Sequence, residues 1–421
     1  MPFDGVDLSD RALFRAGFPH ALFARLRREA PVWRHPETPG VCESVGEPGF
    51  FVVSTMELVR RVARDEETFS ALDGPGLRRF EPGWQGVTLV SADGRAHRRL
   101  RGLINRGFTP RMIGRLEEQI RARARRIVAE VLERGGCEFV HDVAYPLPMH
   151  TIADIVGIPE SDRGYVFERV DAYMVAGDPE LPITPEDKAR MEREIFEYGV
   201  RLAAEKRARP ADDVWSLLVQ AEVPDELGGA APLSDHELAL FFHVLALAGS
   251  ETTRNSIAGG LLALLEHPAE LARFRSDPAL RDRAAHEIIR WTSPLVYWAR
   301  TATRPVELGG EKIEAGARVS IWLASANRDE VAFAEPGRFD LGREPNPHAA
   351  FGGGGAHYCL GSHLAQRQVR VLFEELLAAA GRVELAGEPR WTVSGLHNNV
   401  TCSLGSVPVR LEAARQAGGA P

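Results

Sequence analysis

A mainly helical fold with a small β portion is predicted by three features of the sequence. A helical pattern starts at Ser234 and runs to about Leu265 with apolar residues on nearly every side. Further helical patterns cover Arg111 to Glu133 and the segment after Cys359. Val306 to Trp322 carries Val and Ile among Gly309, Gly310 and Gly316, the pattern of short strands joined by tight turns.

Each element has a local reason. Phe50 to Ser54 alternates weakly and reads as a strand. The helix from Arg111 stops at Gly135-Gly136. Ser234 and Glu237 form an S-x-x-E capping box, each side chain satisfying an amide at the helix start. His267-Pro268 ends that helix, because the residue before a proline is disfavoured in helical conformation. At 1.5 Å per residue the helix spans roughly 45 Å, and a helix apolar on nearly all sides is buried, so it should cross the core. After Cys359, Ala365, Val369, Leu372, Phe373 and Leu376 mark one face, and Gly381 is expected to end that helix. No repeat or long linker divides the chain. One domain is expected over residues 1–421, with a core from about residue 7 to 411 and a frayed tail at 413–421.

Composition narrows the function classes. With 44% apolar and 26% charged residues the chain is ordinary globular protein. The net charge of -8 argues against a general nucleic-acid binder, which needs a basic footprint. Cys42, Cys137, Cys359 and Cys402 are scattered, so neither a disulfide framework nor a zinc site is indicated. The acidic N-terminus lacks the features of a signal peptide. The most apolar stretch, Leu238 to Gly249, has 12 residues, against about 20 for a bilayer span. A cytoplasmic protein without a membrane anchor is expected.

Phe351-Gly-Gly-Gly-Gly-Ala-His357-Tyr-Cys359-Leu-Gly361 carries the strongest chemical signal. A lone cysteine is usually a small buried hydrophobe. A run of glycines is usually a flexible turn, and no Gly-Lys-Ser/Thr follows to make a phosphate loop. Together they read differently. Cys359 stands just before a helix, whose end amides and dipole favour a thiolate. Glycines let the backbone approach a large flat ligand and donate to the sulfur. A haem with an axial thiolate suits that arrangement.

The segment resembles the cytochrome P450 signature Phe-x-x-Gly-x-His/Arg-x-Cys-x-Gly. It departs in having seven residues between Phe351 and Cys359 where the commonest form has six. The longer form is similar to a branch of bacterial P450s that includes sterol and branched-lipid hydroxylases. From Gly355 onward the register is kept, so the extra residue bears on the contact of Phe351 with the proximal haem face. The resemblance implies haem b (iron protoporphyrin IX), Cys359 as the iron's axial ligand, and Phe351, Gly352, Gly361 and Ala365 as further haem contacts.

Other motifs occur in the same family order, from about Asp7 to Leu411. Glu287-Ile-Ile-Arg290 lies 72 residues before Cys359 and matches Glu-x-x-Arg; alone, such a pair is usually solvated surface. Arg338, in Pro336-Gly-Arg-Phe339, resembles the third member of that set, which implies a structural carboxylate clamped by two guanidiniums. Ala326-Asn-Arg-Asp329 fits the turn before the thiolate loop. His97 and Arg101, one helical turn apart, match the pair that contacts the haem propionates, and Arg300 and His357 match two further propionate contacts. Arginine suits buried carboxylates by charge and by its fork of donors.

Within the long helix, Ala248-Gly249-Ser-Glu251-Thr252-Thr253 places a carboxylate and hydroxyls where burial is costly unless they are paired or functional. A threonine bonding back to the carbonyl four residues earlier, with Gly249 beside it, suggests a widened turn. The resemblance assigns Ala248 and Gly249 to the haem surface, Thr252 to a hydrogen bond with O2, and Glu251 to proton delivery.

The implied activity is monooxygenation, by hydroxylation or epoxidation, of a hydrophobic sterol, lipid, terpenoid or polyketide. A separate ferredoxin and its NAD(P)H-dependent reductase supply electrons, since no flavin-binding stretch follows. Arg95, Arg98, Arg99, Arg106 and Arg111 are either the docking charge for an acidic ferredoxin or a solvated face. Substrate walls are expected from Leu77 to Val90, Val166 to Ile183, Phe242 to Gly249, Leu295 to Trp298 and Leu396 to Val400, with Val90, Leu245, Leu295, Val296 and Asn398 in contact. A haem-binding sensor or carrier is a second possibility, against which the Glu251-Thr252 pair argues. A peroxide-driven enzyme of the same fold is a third, and such relatives generally replace that pair.

Overall fold

A computed structural model describes residues 3, 5–37, 49–80, 82–107, 110–176, 182–224, 230–392 and 401–414. Cys42, the segment 396–400 with Asn398, the side chains of Arg106 and Arg111, and the tail from 415 lie outside the described residues. The helices that frame the site are, in chain order, α1 (Met56–Arg64), α2 (Gly94–Gly107), α3 (Pro110–Glu133), α4 (Glu160–Val175), α5 (Pro185–Ala208), α6 (Asp235–Glu266), α7 (Arg281–Thr292) and α8 (Ser362–Ala379). The strands used below are β1 (Val32–His35), β2 (Phe50–Val53), β3 (Phe69–Ser70), β4 (Trp298–Ala302), β5 (Arg318–Ile321) and β6 (Ala380–Leu385).

The long helix forms as its sequence predicts. Ser234 accepts from the Glu237 amide, and Glu237 accepts in return from the Ser234 amide at 2.8 Å. At the other end His267 closes α6, its N–H donating to Ala263 and Leu264 before Pro268 starts the next helix. Both faces of α6 are buried, including the polar His243, Glu251, Arg254 and Asn255. α6 is thus a core helix that carries chemistry, packed against α5 and α7. Among the described residues no helix is long and apolar enough to cross a membrane.

β1–β2–β5–β4–β3 form one sheet, with β2 and β5 parallel and the other neighbours antiparallel. β2 is buried at all four residues, as expected of an interior strand covered on both faces. Side chains alternate along β4, so Trp298 and Arg300 reach the central cavity while Ala299 packs into the core. Gly309 and Gly310 turn a hairpin between Val306–Leu308 and Glu311–Ile313, and Gly316 turns the chain into β5. Gly381 does not cap α8 as expected. The helix stops at Ala379 and passes directly into β6, where Gly381 sits at a bulge and a Cβ would lie 3.0 Å from the Ala414 backbone.

Candidate active site

The loop from Phe351 to Gly361 presents Cys359 at the start of α8. Gly352, Gly353, Gly354 and Gly355 all have positive φ, at 102°, 77°, 111° and 77°, a run that only glycine adopts without strain. A Cβ on Gly355 would lie 2.4 Å from the Ala63 carbonyl oxygen, so the loop also lies directly on α1. Cys359 N–H donates to the Phe351 carbonyl at 3.0 Å and closes the loop. The extra residue is therefore taken up in the glycine coil, and Phe351, 8% exposed, remains on the cavity wall beside Cys359.

Cys359 opens into a cavity of about 520 Å³. Desolvation by the surrounding protein holds its thiol above the ordinary value, opposed by the Gly361 N–H and the charge of Arg101, although Cys359 itself stays accessible through the cavity. The helix-end amide thus acts as the sequence suggests, but desolvation outweighs it. The same cavity is bordered by His97, Arg101, Arg300 and His357. His97 is buried and neither ring nitrogen has a partner among the described residues. Its ring lies 4.2 Å from that of His357, whose Nε2 is 3.6 Å from Asp93, too far for a good hydrogen bond. Burial, His357 and Arg101 push the His97 imidazole down to about 4, and burial pulls Arg300 down to about 10. Under-satisfied donors gathered at one edge of a cavity mark a place for an acidic ligand.

On the far wall α6 contributes Leu245, Ala248, Gly249, Glu251 and Thr252. The expected widened turn is absent: α6 is helical throughout, with the Thr252 hydroxyl donating to the Ala248 carbonyl at 2.9 Å. Ser250 bonds back to Ala246 at 2.7 Å in the same way. Glu251 is 7% exposed, and burial raises it to about 7. It accepts from the Thr401 hydroxyl at 2.9 Å and lies 3.8 Å from Arg254, which in turn lies 3.4 Å from Asp171 of α4. The Asp171 side chain is 31% exposed, so this row of groups leads from the cavity to solvent.

Comparisons with known proteins decide the family. The family model described as cytochrome P450 matches residues 186–379. Cytochrome P450 126 of Mycobacterium tuberculosis is 44% identical over 410 residues, covering 94% of this chain and 96% of that protein. The chain belongs to the cytochrome P450 family.

A steroid C26-monooxygenase of Rhodococcus jostii is 37% identical, with 94% of this chain and 83% of that protein covered. A methyl-branched lipid omega-hydroxylase of M. tuberculosis is 40% identical, with 87% and 86% covered. Among solved structures, a Mycobacterium marinum cytochrome P450 in complex with pseudoionone superposes with a TM-score of 0.88 at 36% identity, covering 97% of this chain and 99% of that one. This P450 is a monooxygenase, and its cofactor is haem b. The site fits that group: a cysteine sulfur faces the cavity from one side, and the unpartnered nitrogens of His97 and His357 line its edge with Arg101 and Arg300.

Ahead of the Cys359 loop in sequence order, Glu287 and Arg290 are fully buried and paired through two bonds of 2.7 Å. Arg290 also donates to the carbonyls of Asn327, Pro336 and Arg338, tying α7 to the segment that leads into the loop. The second guanidinium on Glu287 is Arg343, with Nε at 3.2 and 3.3 Å, and not Arg338. Arg338 points to solvent, 56% exposed, and pairs with Glu335. The turn at Pro336-Gly337 directs only the Arg338 carbonyl inward. Asn327 also holds the chain just before the loop, accepting from the Ala349 N–H at 2.6 Å.

Val90, Leu245 and Leu295 border the cavity as expected, but Val296 does not. Leu295 forms an isolated bridge with Thr401 in a stretch of extended chain. Neighbouring side chains there point apart, which leaves Val296 in the core with Phe14 and Trp322. Sequence reasoning missed Arg343, Arg254, Asp171 and Thr401, and gave His243 no role. The one available signal was a histidine and an arginine inside a helix expected to be buried, which need partners there.

Proposed function

We propose that this P450 inserts one oxygen atom from O2 into an unactivated C–H bond or double bond of a hydrophobic small molecule, with electrons delivered by a ferredoxin and its NAD(P)H-dependent reductase. The observation that carries the reading is that Cys359, the buried Glu251 and the half-buried Thr252 border one and the same cavity. In it, Cys359 ligates the haem iron, and His97, Arg101, Arg300 and His357 hold the propionates. Bound haem supplies the redox chemistry that activates O2.

The chain's own residues supply position and protons. With a pKa of about 7, Glu251 can both hold and release a proton near neutrality. Thr401 and Arg254 fix its carboxylate, and Asp171 connects Arg254 to water. Thr252 can turn its hydroxyl from the Ala248 carbonyl toward O2. Apolar walls at Leu89, Val90, Ile152, Leu245 and Leu295 suit a hydrophobic substrate. The steroid- and lipid-oxidising relatives support a substrate of that kind. Exposed Arg95 and Arg98 share α2 with His97 and Arg101, which supports docking of an acidic electron donor there.

The test is direct. The purified, reduced protein should give the red-shifted carbon monoxide band of thiolate ligation and lose it in Cys359→Ala. Product should form with NAD(P)H, ferredoxin and reductase. Product with peroxide alone would favour a peroxygenase, and none under either condition would favour a binding protein.

A further inference from the structure

The cavity has a polar end for which proton delivery has no use. His243 lies on α6 nine residues before Thr252, an axial distance of roughly 13 Å at 1.5 Å per residue. It is 3% exposed, and neither ring nitrogen has a hydrogen-bond partner among the described residues. Aromatic rings box it instead: Trp84 at 5.2 Å, Tyr173 at 5.0 Å and Phe196 at 5.1 Å, all edge-on. Burial pushes the imidazole down to about 3, so it is neutral, with one donor and one acceptor nitrogen. An unmatched buried polar group of this kind asks for a ligand.

This end of the cavity also carries charge. Lys188 and Glu192 stand one turn apart on α5 and border the cavity together with His243, Tyr173 and Trp84. The Lys188 ammonium lies 5.0 Å from the Tyr173 ring centre. Burial lowers its pKa, Glu192 supports its charge, and Arg11 and Arg78 act on it as like charges. Arg78 borders the same cavity. A lysine paired in charge with Glu192 thus stands at this end with His243, while Leu89, Val90, Ile152 and Leu245 give the same cavity apolar walls.

We propose that this end recognises the carboxylate of an otherwise apolar substrate. His243 donates one hydrogen bond to it, and Lys188 supplies the opposite charge. The hydrocarbon body lies along α6, so that the carbon oxidised is remote from the acid, at about the length of a sterol ring system. The fate of that carbon rests on the monooxygenase reading; recognition of the acid does not.

Haem-loaded protein titrated by calorimetry with dodecanoic acid, its methyl ester and dodecylamine tests the idea. The acid should bind about tenfold more tightly than the ester, since charge-assisted hydrogen bonds are the stronger class, and the amine should bind most weakly. Lys188→Gln should bring the acid down to the ester and leave the ester unchanged. Glu192→Gln should tighten the acid about threefold, the effect of removing one like charge near a partly solvated site. His243→Phe, which fits the aromatic box, should weaken acid and ester alike. Lys188 and Glu192 are only half-buried, so their variants keep the proposal testable should His243→Phe misfold. An acid that fails to bind, an ester or amine that matches it, or a Lys188→Gln variant that weakens acid and ester equally would overturn the proposal. Such a result with the thiolate–carbon monoxide band intact leaves the monooxygenase reading standing, and loss of that band alone has the reverse meaning.

Discussion

Replacing Glu251 with Gln should stabilise the folded protein at high pH and change little at low pH. Burial raises the Glu251 pKa from 4.5 to about 7, while Arg254 and the Thr401 hydroxyl offset only part of that rise. Between those values the folded chain keeps a proton that the unfolded chain has lost. The stability linked to that proton is fully present below 4.5 and is lost as pH rises through about 7. At about 1.4 kcal/mol per pH unit, the loss by pH 8 is on the order of 3 kcal/mol. Gln keeps an oxygen for the Thr401 hydroxyl and carries no charge, so Glu251→Gln escapes the loss. Urea unfolding of both proteins at pH 5, 6.5 and 8 measures the gap, which should open across that range. Arg254→Met removes the cation 3.8 Å away and should move the step about one pH unit higher. A gap that stays constant from pH 5 to 8 would refute a buried, high-pKa carboxylate at this position. The same titration should appear in catalysis as product formation that falls above about pH 7 and loses this limb in Glu251→Gln.

Arg343→Leu should destabilise the protein by about 3 kcal/mol, because it strips a guanidinium from a fully buried carboxylate, whereas Arg338→Leu should stay within about 0.5 kcal/mol; urea midpoints of the two variants check the contrast. Gly355→Ala combines a φ of +77° with a Cβ 2.4 Å from the Ala63 oxygen, so it should displace the thiolate loop and speed haem loss to an acceptor protein severalfold. Thr252→Ala removes the hydroxyl from the cavity wall and should let NAD(P)H be consumed with much less product, read as the ratio of product to NAD(P)H oxidised; an unchanged ratio removes Thr252 from the mechanism.

Much of the fold was legible because its determinants are local. The α6 capping box and the His267-Pro268 stop lie within a few residues of the ends they define, and both behave as read. Glycines with positive φ mark the β-hairpin at Gly309-Gly310 and the coil before Cys359 for the same reason. Gly381 misled because glycine serves equally at a helix cap and at a bulge. The strand partner that decides between them, residues 408–413, lies far along the chain. Resemblance to the P450 motifs, and not spacing along the chain, brought Cys359, His97, Arg101, Arg300 and Glu251 into one site, and all five border the same cavity.

What could not be read are pairings between distant segments, and these set the energetics of the site. Arg338 and Arg343 are equivalent by charge and lie in the same turn-rich stretch; which of them meets Glu287 depends on how the backbone turns at Pro336-Gly337. Glu251 could be recognised from its neighbours, but its pKa could not. That value depends on Thr401, 150 residues later, and on Asp171, 83 residues before Arg254. His243 makes the point from the other side. In sequence it is one polar residue in an apolar helix, most simply satisfied by a neighbour, and only the packing of Trp84, Tyr173 and Phe196 around it removes every such neighbour. Reaction class follows from residues near one another in the chain. Proton supply and substrate choice follow from residues that only folding brings together, so relatives that share the Cys359 loop are free to diverge at the other end of the same cavity.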